Sequence, residues 1–441
     1  MVGQRPHFAG LSLGICEVSV TTGPRFGTDR SLQPQVGTSL NDNVFAGLQG
    51  LGCASLIEPS SSPAQASADD AEDRAQRQIK VFAENILRGK PEINQRLMTD
   101  SQAMNIIILD DYQDAVRKLD CARLLEPFNA KVFTNTVKGV GQLSVRLRDA
   151  DIIVLTRERT QISRQLLEKL PRLKLIAQTG KAGAHIDVQA CTDQGVAIAE
   201  GVGSPIAPAE LTWSLIMAAT RRLPQYIANL KHGAWQQSGF KAASMPANFG
   251  LGSVLHGRTL GIWGYGRIGR LVAHYGHAFG MQVLVWGSES SRQKAQADGF
   301  AAADSREAFF TESDVLSMHL RLHEATRGIV TAQDLARMKP TALFVNTSRA
   351  ELVEADALLG ALNRGRPGLA AVDVFESEPI LQGHALLRLE NCICTPHIGY
   401  VEQDSYELYF RAAFDNVVNF VAGQPSNILN PEVFSGPARA G

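Results

Sequence analysis

The sequence predicts an α/β protein with two doubly wound domains, each built on a parallel β-sheet. Three observations support this prediction. Short apolar runs alternate with helical stretches from Met104 onward, a glycine-rich connector at 248–252 interrupts the alternation, and the alternation restarts at Thr259. Such alternation is typical of parallel sheets with helices on both faces. With 441 residues, the chain is long enough for two or three such cores.

The first 103 residues differ from the rest in composition. They are rich in small and polar residues, 58–78 has the composition of a linker, and only 71–87 favours a helix. We expect 1–103 to be a poorly ordered extension, with Met104 as a candidate natural start. A targeting or regulatory arm is the alternative.

The first alternation predicts five strands, a set of intervening helices and a long apolar helix. The predicted strands are 105–109, 131–133, 152–155, 173–177 and 196–199. The predicted helices are 115–125, 144–150, 163–170 and 188–194, and then 207–222, which Pro205 and Pro208 introduce.

The second alternation predicts six strands. They are 259–263, 281–286, 315–318, 342–345, 369–372 and 392–394.

Composition excludes several classes of partner. The formal charge of −1 gives no reason to expect nucleic acid or an anionic membrane. No apolar run approaches the roughly 20 residues that span a bilayer, and the start lacks a clear signal-peptide pattern, so we expect a cytoplasmic protein. None of the six cysteines forms a CxxC pair, and Cys392 and Cys394 alternate in a strand pattern, so we expect buried thiols and no metal site.

Gly264, Gly266 and Gly269 form a GxGxxG loop between a predicted strand and a predicted helix. In a βαβ unit these glycines allow a tight turn, close approach of the backbone to a pyrophosphate, and close helix–strand packing. The phosphates then lie at the positive end of the helix dipole. The loop predicts a dinucleotide site; a purely structural turn is the alternative.

The acidic residue that usually follows the second strand of such a unit is absent. An Asp or Glu there would bind the ribose hydroxyls and repel a 2′-phosphate, but Gly287 stands at that point. Ser288, Ser290 and Arg292 could receive a phosphate, which favours NADP(H) over NAD(H). Two alternatives stay open: Glu289 turns towards the ribose, or 288–292 is only a solvated helix start.

Chemical side chains follow the strands of the second series. Because ligands bind beyond the carboxyl ends of parallel strands, these residues should meet at one edge; they are Gly264, Gly287, His319, 346–349, Asp373 and 395–397. Arg349 can fork onto a carboxylate, His397 can transfer a proton, and Glu378 can orient that histidine. Each residue also has an alternative when it is taken alone. Arg349 could be a surface ion-pair partner, Glu378 a loop carboxylate, and His397 a buried histidine with satisfied hydrogen bonds.

Four motifs in this order, 264–269, 342–354, 370–379 and 395–400, resemble those of the D-isomer-specific 2-hydroxyacid dehydrogenases. The resemblance covers about 104–430. It implies a flavodoxin-like substrate domain at 104–206 and 398–430, a Rossmann cofactor domain at 207–397, and a homodimer. It also implies hydride transfer between NAD(P)(H) and a small anionic 2-oxo or 2-hydroxy acid.

The same resemblance implies roles for individual residues. Arg349 would bind the substrate carboxylate and carbonyl, His397 would be the general acid/base and Glu378 its partner. Asp373 would meet the nicotinamide carboxamide. Further cofactor contacts would come from Arg267, Ile268, His319, Thr347 and Gly399. The loop that receives the substrate carboxylate would include Thr179, Gly180 and Lys181.

The chain departs from the family pattern at several positions. Lys181 replaces a small apolar residue, Ala182 and Ala350 replace glycines, and the ribose acid is missing. Lys181 either attracts the anionic substrate or is merely solvated. Two other functions fit this scaffold: formate dehydrogenase, which usually has Gln where Glu378 stands, and a dinucleotide-sensing corepressor, which keeps the same trio.

Overall fold

The computed structural model describes residues 104–238 and 250–435, which contain two parallel β-sheets covered by helices. This arrangement confirms the predicted fold class. The predictions for 1–103, which include the helix at 71–87, lie outside the described residues.

The first sheet has five parallel strands in the order β2-β1-β3-β4-β5, which is the flavodoxin-like order. In chain order they are β1 (Asn105–Ile108), β2 (Asn129–Val132), β3 (Ile152–Leu155), β4 (Leu175–Gln178) and β5 (Ala197–Glu200). Successive strand residues point to opposite faces, so each face has its own apolar cluster. One face is covered by α1 (Val140–Leu147), α2 (Arg164–Leu167) and α3 (Val188–Asp193).

Two helices follow the first sheet. The apolar helix α4 (Ile206–Thr220) packs through Leu215 and Ile216 into the core of the second sheet. Helix α5 (Leu223–Lys231) comes directly after it.

The second sheet has seven parallel strands in the order β12-β11-β10-β9-β6-β7-β8. They are β6 (Thr259–Trp263), β7 (Gln282–Trp286), β8 (Ala301–Ala302), β9 (Val315–Met318), β10 (Leu343–Asn346), β11 (Leu369–Val372) and β12 (Cys392–Cys394). The helices are α6 (Arg267–Ala278), α7 (Glu289–Ala297), α8 (Arg306–Glu312), α9 (Ala332–Arg337) and α10 (Ala357–Asn363). The strand order reverses between β6 and β9, which is where dinucleotides bind in such sheets.

The last long helix, α11 (Gln403–Val421), returns to the first sheet. Its aromatic residues Tyr406, Phe410 and Phe414 are buried against the face opposite α1, α2 and α3. This packing supports our proposal of a discontinuous domain, 104–206 with 398–430, around a second domain at 207–397. Membrane-spanning length and apolarity are not combined in any helix of the described ranges.

Two predictions about elements were wrong. The predicted helix at 115–125 is two 3₁₀ turns, Val116–Lys118 and Asp120–Leu125, because Leu119 between them is extended. The Asp111 carboxylate accepts the N–H groups of Ala115 and Val116, which holds the chain in a turn. The predicted six strands of the second series omitted β8, a two-residue edge strand.

Candidate active site

The second sheet delivers glycine and polar residues to one edge. Its strand pairs are all parallel, so their carboxyl ends lie on the same side. The residues at or directly after these ends are Gly264, Gly287, His319, 346–349, Asp373 and 395–397.

The loop between β6 and α6 has the glycine geometry of a dinucleotide site. Gly264 has φ +98°, and a Cβ there would lie 2.7 Å from the His319 carbonyl oxygen. A Cβ at Gly269 would lie 2.2 Å from the Gly264 carbonyl oxygen, so this glycine lets the helix pack on the strand. A Cβ at Gly266 would meet nothing within 4 Å, which leaves space before the α6 N-terminus. The loop therefore fits a pyrophosphate.

Three other predicted cofactor residues have protein partners. The Arg267 Nη2 donates to the Gly203 carbonyl oxygen over 2.9 Å, and the Thr347 and Thr212 hydroxyl oxygens are 2.7 Å apart. Ile268 packs against the core of the second sheet. Their contacts with a cofactor stay a prediction.

The chain turns sharply after β7. Gly287 has φ +153°, and Ser288 caps α7 by accepting the Ser291 N–H. A side chain at position 287 would therefore carry backbone strain as well as a new functional group.

Arg292 is held by its neighbours on α7 and β7. Its guanidinium lies 5.0 Å from the centre of the Trp286 ring, and its Nη2 is 2.6 Å from Glu289 Oε2. Gln293 also donates to Glu289. The Glu289 carboxylate is thus held by two residues of its own helix, Arg292 and Gln293.

His319 follows β9 and supports the glycine loop. Its Nε2 is 2.9 Å from the Ser317 Oγ, and its carbonyl group lies against Gly264. Burial of the ring lowers the pKa of His319 to about 3, so the imidazole is neutral. A direct contact with the cofactor stays a prediction.

His397 and Glu378 form a close pair. The His397 Nδ1 is 2.6 Å from Glu378 Oε2, and Glu378 Oε1 accepts the Phe375 N–H. Burial acts to raise the pKa of Glu378, but the hydrogen bond from His397 and its charge lower that pKa below the ordinary range. With Nδ1 engaged, Nε2 is the ring nitrogen that remains for a substrate.

Asp373 organises the segment that carries His397. It is fully buried, and its carboxylate accepts the Thr395 hydroxyl and the N–H groups of Ile398 and Gly399. These contacts hold the loop in which His397 has φ +52°. The expected contact between Asp373 and the nicotinamide carboxamide stays a prediction.

Arg349 lies opposite a carboxylate of the first sheet's loops. Its Nη2 is 2.7 Å from Glu158 Oε1, and its Nη1 donates to the Ser348 carbonyl oxygen. Burial acts to raise the pKa of Glu158, but Arg349 lowers it below the ordinary range. Glu158 is therefore charged at neutral pH.

The loop predicted to receive the substrate carboxylate follows β4. Thr179 is buried, and its hydroxyl donates to the Leu155 carbonyl oxygen, so this side chain supports the loop. The N–H groups of Thr179 and Gly180 are bonded to the carbonyl oxygens of Leu155 and Gln178. A carboxylate that docks on these N–H groups has to displace an internal acceptor.

Lys181 and Ala182 contact one carboxylate. Lys181 Nζ is 2.7 Å from Glu200 Oε2, and the Ala182 N–H donates to Glu200 Oε1 over 2.9 Å. The Lys181 side chain is 76% exposed, so it is solvated and paired at the same time. Its attraction for a substrate anion stays a prediction.

Comparisons with known proteins agree with this geometry. A family model described as D-isomer specific 2-hydroxyacid dehydrogenase, NAD binding domain, matches residues 213–399. The chain is 36% identical over 292 residues to a glyoxylate reductase of Aeropyrum pernix. This alignment covers 65% of the chain and 85% of that protein. The chain belongs to the D-isomer specific 2-hydroxyacid dehydrogenase family. It is accordingly an oxidoreductase of the class that acts on CH–OH donors.

Further members of the 2-hydroxyacid dehydrogenase family are similar to it. A D-3-phosphoglycerate dehydrogenase of Methanocaldococcus jannaschii is 32% identical over 330 residues. The alignment covers 74% of this chain but only 59% of the length of that protein. A crystal structure from Ralstonia solanacearum, provisionally named a D-3-phosphoglycerate dehydrogenase oxidoreductase, is 64% identical with a TM-score of 0.74, covering 76% of this chain and 99% of that one. A phosphoglycerate oxidoreductase of Vibrio cholerae o395 is 55% identical with a TM-score of 0.69, over 73% and 99%.

Two contacts between loops of the two sheets were not predicted from the sequence of this dehydrogenase. Glu158 meets Arg349, and Lys138 Nζ lies 3.2 Å from the Ser377 Oγ, next to Glu378. Glu158 comes three residues after the end of β3. Because side chains that follow parallel strands lie at the carboxyl edge of the sheet, this position marks Glu158 as a candidate.

Proposed function

We propose that this 2-hydroxyacid dehydrogenase interconverts small anionic 2-oxo and 2-hydroxy acids by hydride transfer, with NADP(H) preferred to NAD(H). The observation that carries the proposal is the 2.6 Å pair of His397 and Glu378, on the sheet edge that also presents Arg349 and the glycine loop.

His397 is the proposed general acid and base. The ionised Glu378 holds Nδ1 and orients the ring, so that Nε2 can deliver a proton to the carbonyl oxygen during reduction. In the oxidation, neutral His397 accepts the proton of the hydroxyl group. A dinucleotide held at the 264–269 glycine loop would supply the hydride to C2 or take it up from there.

Arg349 is the proposed anchor for the substrate. Its planar guanidinium can contact both the carboxylate and the adjacent carbonyl oxygen, and the 178–182 loop contributes backbone N–H groups. Held in this way, C2 is positioned for transfer before the reaction begins. Relatives named for glyoxylate and for phosphoglycerate support a small anionic acid as the substrate class.

The cofactor preference depends on α7. No carboxylate stands at Gly287, and a 2′-phosphate would compete with Glu289 for Arg292. We expect Arg292→Ala to raise the KM for NADPH about tenfold and to leave that for NADH unchanged, with Gln293→Ala as the control. Equal effects on both cofactors would contradict the preference. Gly287→Asp is a less clean test, because φ is +153° there.

The role of His397 is tested by His397→Ala. We expect turnover to fall by about 10²–10⁴-fold while the dissociation constant of the dinucleotide stays close to that of the wild type. The control is His384→Ala, because His384 also lies beside a glutamate, Glu376, at 3.4 Å. Wild-type turnover in His397→Ala would refute the assignment.

A homodimer and a cytoplasmic location complete the proposal. Leu223, Ile227 and Leu230, on one face of α5, are 46%, 55% and 56% exposed, and Trp235 beyond the helix is 75% exposed. Apolar residues exposed together are typical of an interaction surface. Light scattering of the purified protein tests the dimer.

A further inference from the structure

The Glu158 carboxylate is hydrogen-bonded to the guanidinium of Arg349, the group that is proposed to bind the substrate. Glu158 lies after β3, Arg349 lies after β10, and Nη2 and Oε1 are 2.7 Å apart although 191 residues separate the two in sequence. The guanidinium also donates a hydrogen bond from Nη1 to the Ser348 carbonyl oxygen, which is a local contact. Among the described residues, the carboxylate hydrogen-bonded to this guanidinium is therefore Glu158, which follows a strand of the first sheet. Glu378 also interacts with Arg349 through its charge, but without a hydrogen bond to it.

The loop predicted to share the substrate carboxylate also carries a protein carboxylate. Glu200 accepts the Ala182 N–H over 2.9 Å and pairs with Lys181 at 2.7 Å. Both proposed anion-binding elements, Arg349 and the 178–182 loop, thus hold glutamate oxygens.

We propose that Glu158 is an internal competitor of the substrate carboxylate: it neutralises Arg349 in the unliganded enzyme and leaves when a 2-oxo acid binds. The inference rests on the proposed function of Arg349. A carboxylate replaces a carboxylate, so the charge balance at the guanidinium is the same before and after substrate binding.

Glu158 has the charge that a competitor needs. Burial opposes its ionisation, but Arg349, with smaller contributions from His185 and Arg157, holds the pKa of Glu158 below its usual range. Arg157 directly precedes Glu158 in the same loop, so a cationic group remains near the carboxylate once it has left Arg349.

The effect on affinity is modest because the pair is partly exposed. The side chains of Arg349 and Glu158 are 32% and 44% exposed, so solvent screens their attraction. Glu158→Gln keeps the shape and removes the charge, and should lower the KM for the 2-oxo acid about two- to fivefold without changing kcat or the KM for the dinucleotide.

Two further variants make the test specific. Glu376→Gln removes the same charge from a glutamate that contacts His384 rather than Arg349, and should leave every constant unchanged. Glu158→Asp retains the charge on a side chain one methylene shorter, and should fall between the wild type and Glu158→Gln.

The experiment combines steady-state kinetics with calorimetric titration of oxamate onto each enzyme in the presence of the reduced dinucleotide. A lower KM and tighter oxamate binding in Glu158→Gln, with unchanged kcat, support the proposal. A higher KM, a lower kcat or unchanged constants overturn it. If the wild type reduces no 2-oxo acid, the proposed function fails, and the oxamate titration still decides whether Glu158 competes for the anion site.

Discussion

Replacing Gly266 by alanine should separate dinucleotide binding from folding. The new methyl group would meet no atom within 4 Å, and the backbone angles of Gly266, φ −93° and ψ −161°, are open to alanine. We therefore expect the free energy of unfolding to change by less than about 0.5 kcal/mol. The methyl group would nevertheless occupy the space through which a pyrophosphate approaches the backbone. The Gly266→Ala variant should therefore lose hydrogen bonds between the backbone and the charged pyrophosphate. Their loss costs about 1.5–3 kcal/mol, which raises the dissociation constant of the dinucleotide about 10- to 100-fold.

Gly269→Ala is the matched variant with the opposite expectation. Its methyl group would lie 2.2 Å from the Gly264 carbonyl oxygen, so the helix has to move away from the strand. The higher helix propensity of alanine offsets part of this cost, and we expect a net destabilisation of about 1–3 kcal/mol.

Urea unfolding and a fluorescence titration of the reduced dinucleotide measure both quantities on both variants. Wild-type affinity in Gly266→Ala would refute the placement of the pyrophosphate at this loop. Wild-type stability in Gly269→Ala would refute the close helix–strand contact.

Two further predictions concern the charged residues of the site. Glu378→Gln should cost about 1 kcal/mol of stability at pH 7, a value reduced for partial exposure. Because the pKa of folded Glu378 lies below its ordinary 4.5, the stabilisation is present above that value and is lost as the pH falls through the folded-state pKa. Urea unfolding should show the difference disappear in acid, and a difference that persists there would contradict the pairing. Arg349→Lys should lower kcat/KM about 10- to 100-fold, because an ammonium group cannot fork onto a carboxylate and a carbonyl; kinetics that match the wild type would exclude Arg349 as the anchor.

The sequence predicted the second sheet well because parallel strands impose a simple rule. Buried strands such as Val315–Met318 are recognisable as short, mostly apolar runs, and the glycine or polar residue at or directly after the end of each predicted strand lies at the carboxyl edge. That rule brought Arg349 and His397 to one edge without any knowledge of packing. Strand β8 was not predicted, because its two residues, Ala301 and Ala302, have no strong preference for a strand.

Contacts between residues that are distant in the sequence could not be predicted. The pairing of Glu158 with Arg349 depends on how two loops face each other, which no local pattern encodes. The use of Asp373 as an acceptor for Ile398 and Gly399 depends on burial that only the folded chain reveals.

Reduction of a 2-oxo acid is the activity that we propose for this site. Its most direct test follows the nicotinamide absorbance of NADPH and NADH with glyoxylate, hydroxypyruvate, pyruvate and phosphohydroxypyruvate. We expect oxidation of the dinucleotide with at least one of these acids, and a faster reaction with NADPH than with NADH. Tight dinucleotide binding without turnover of any of them would contradict it.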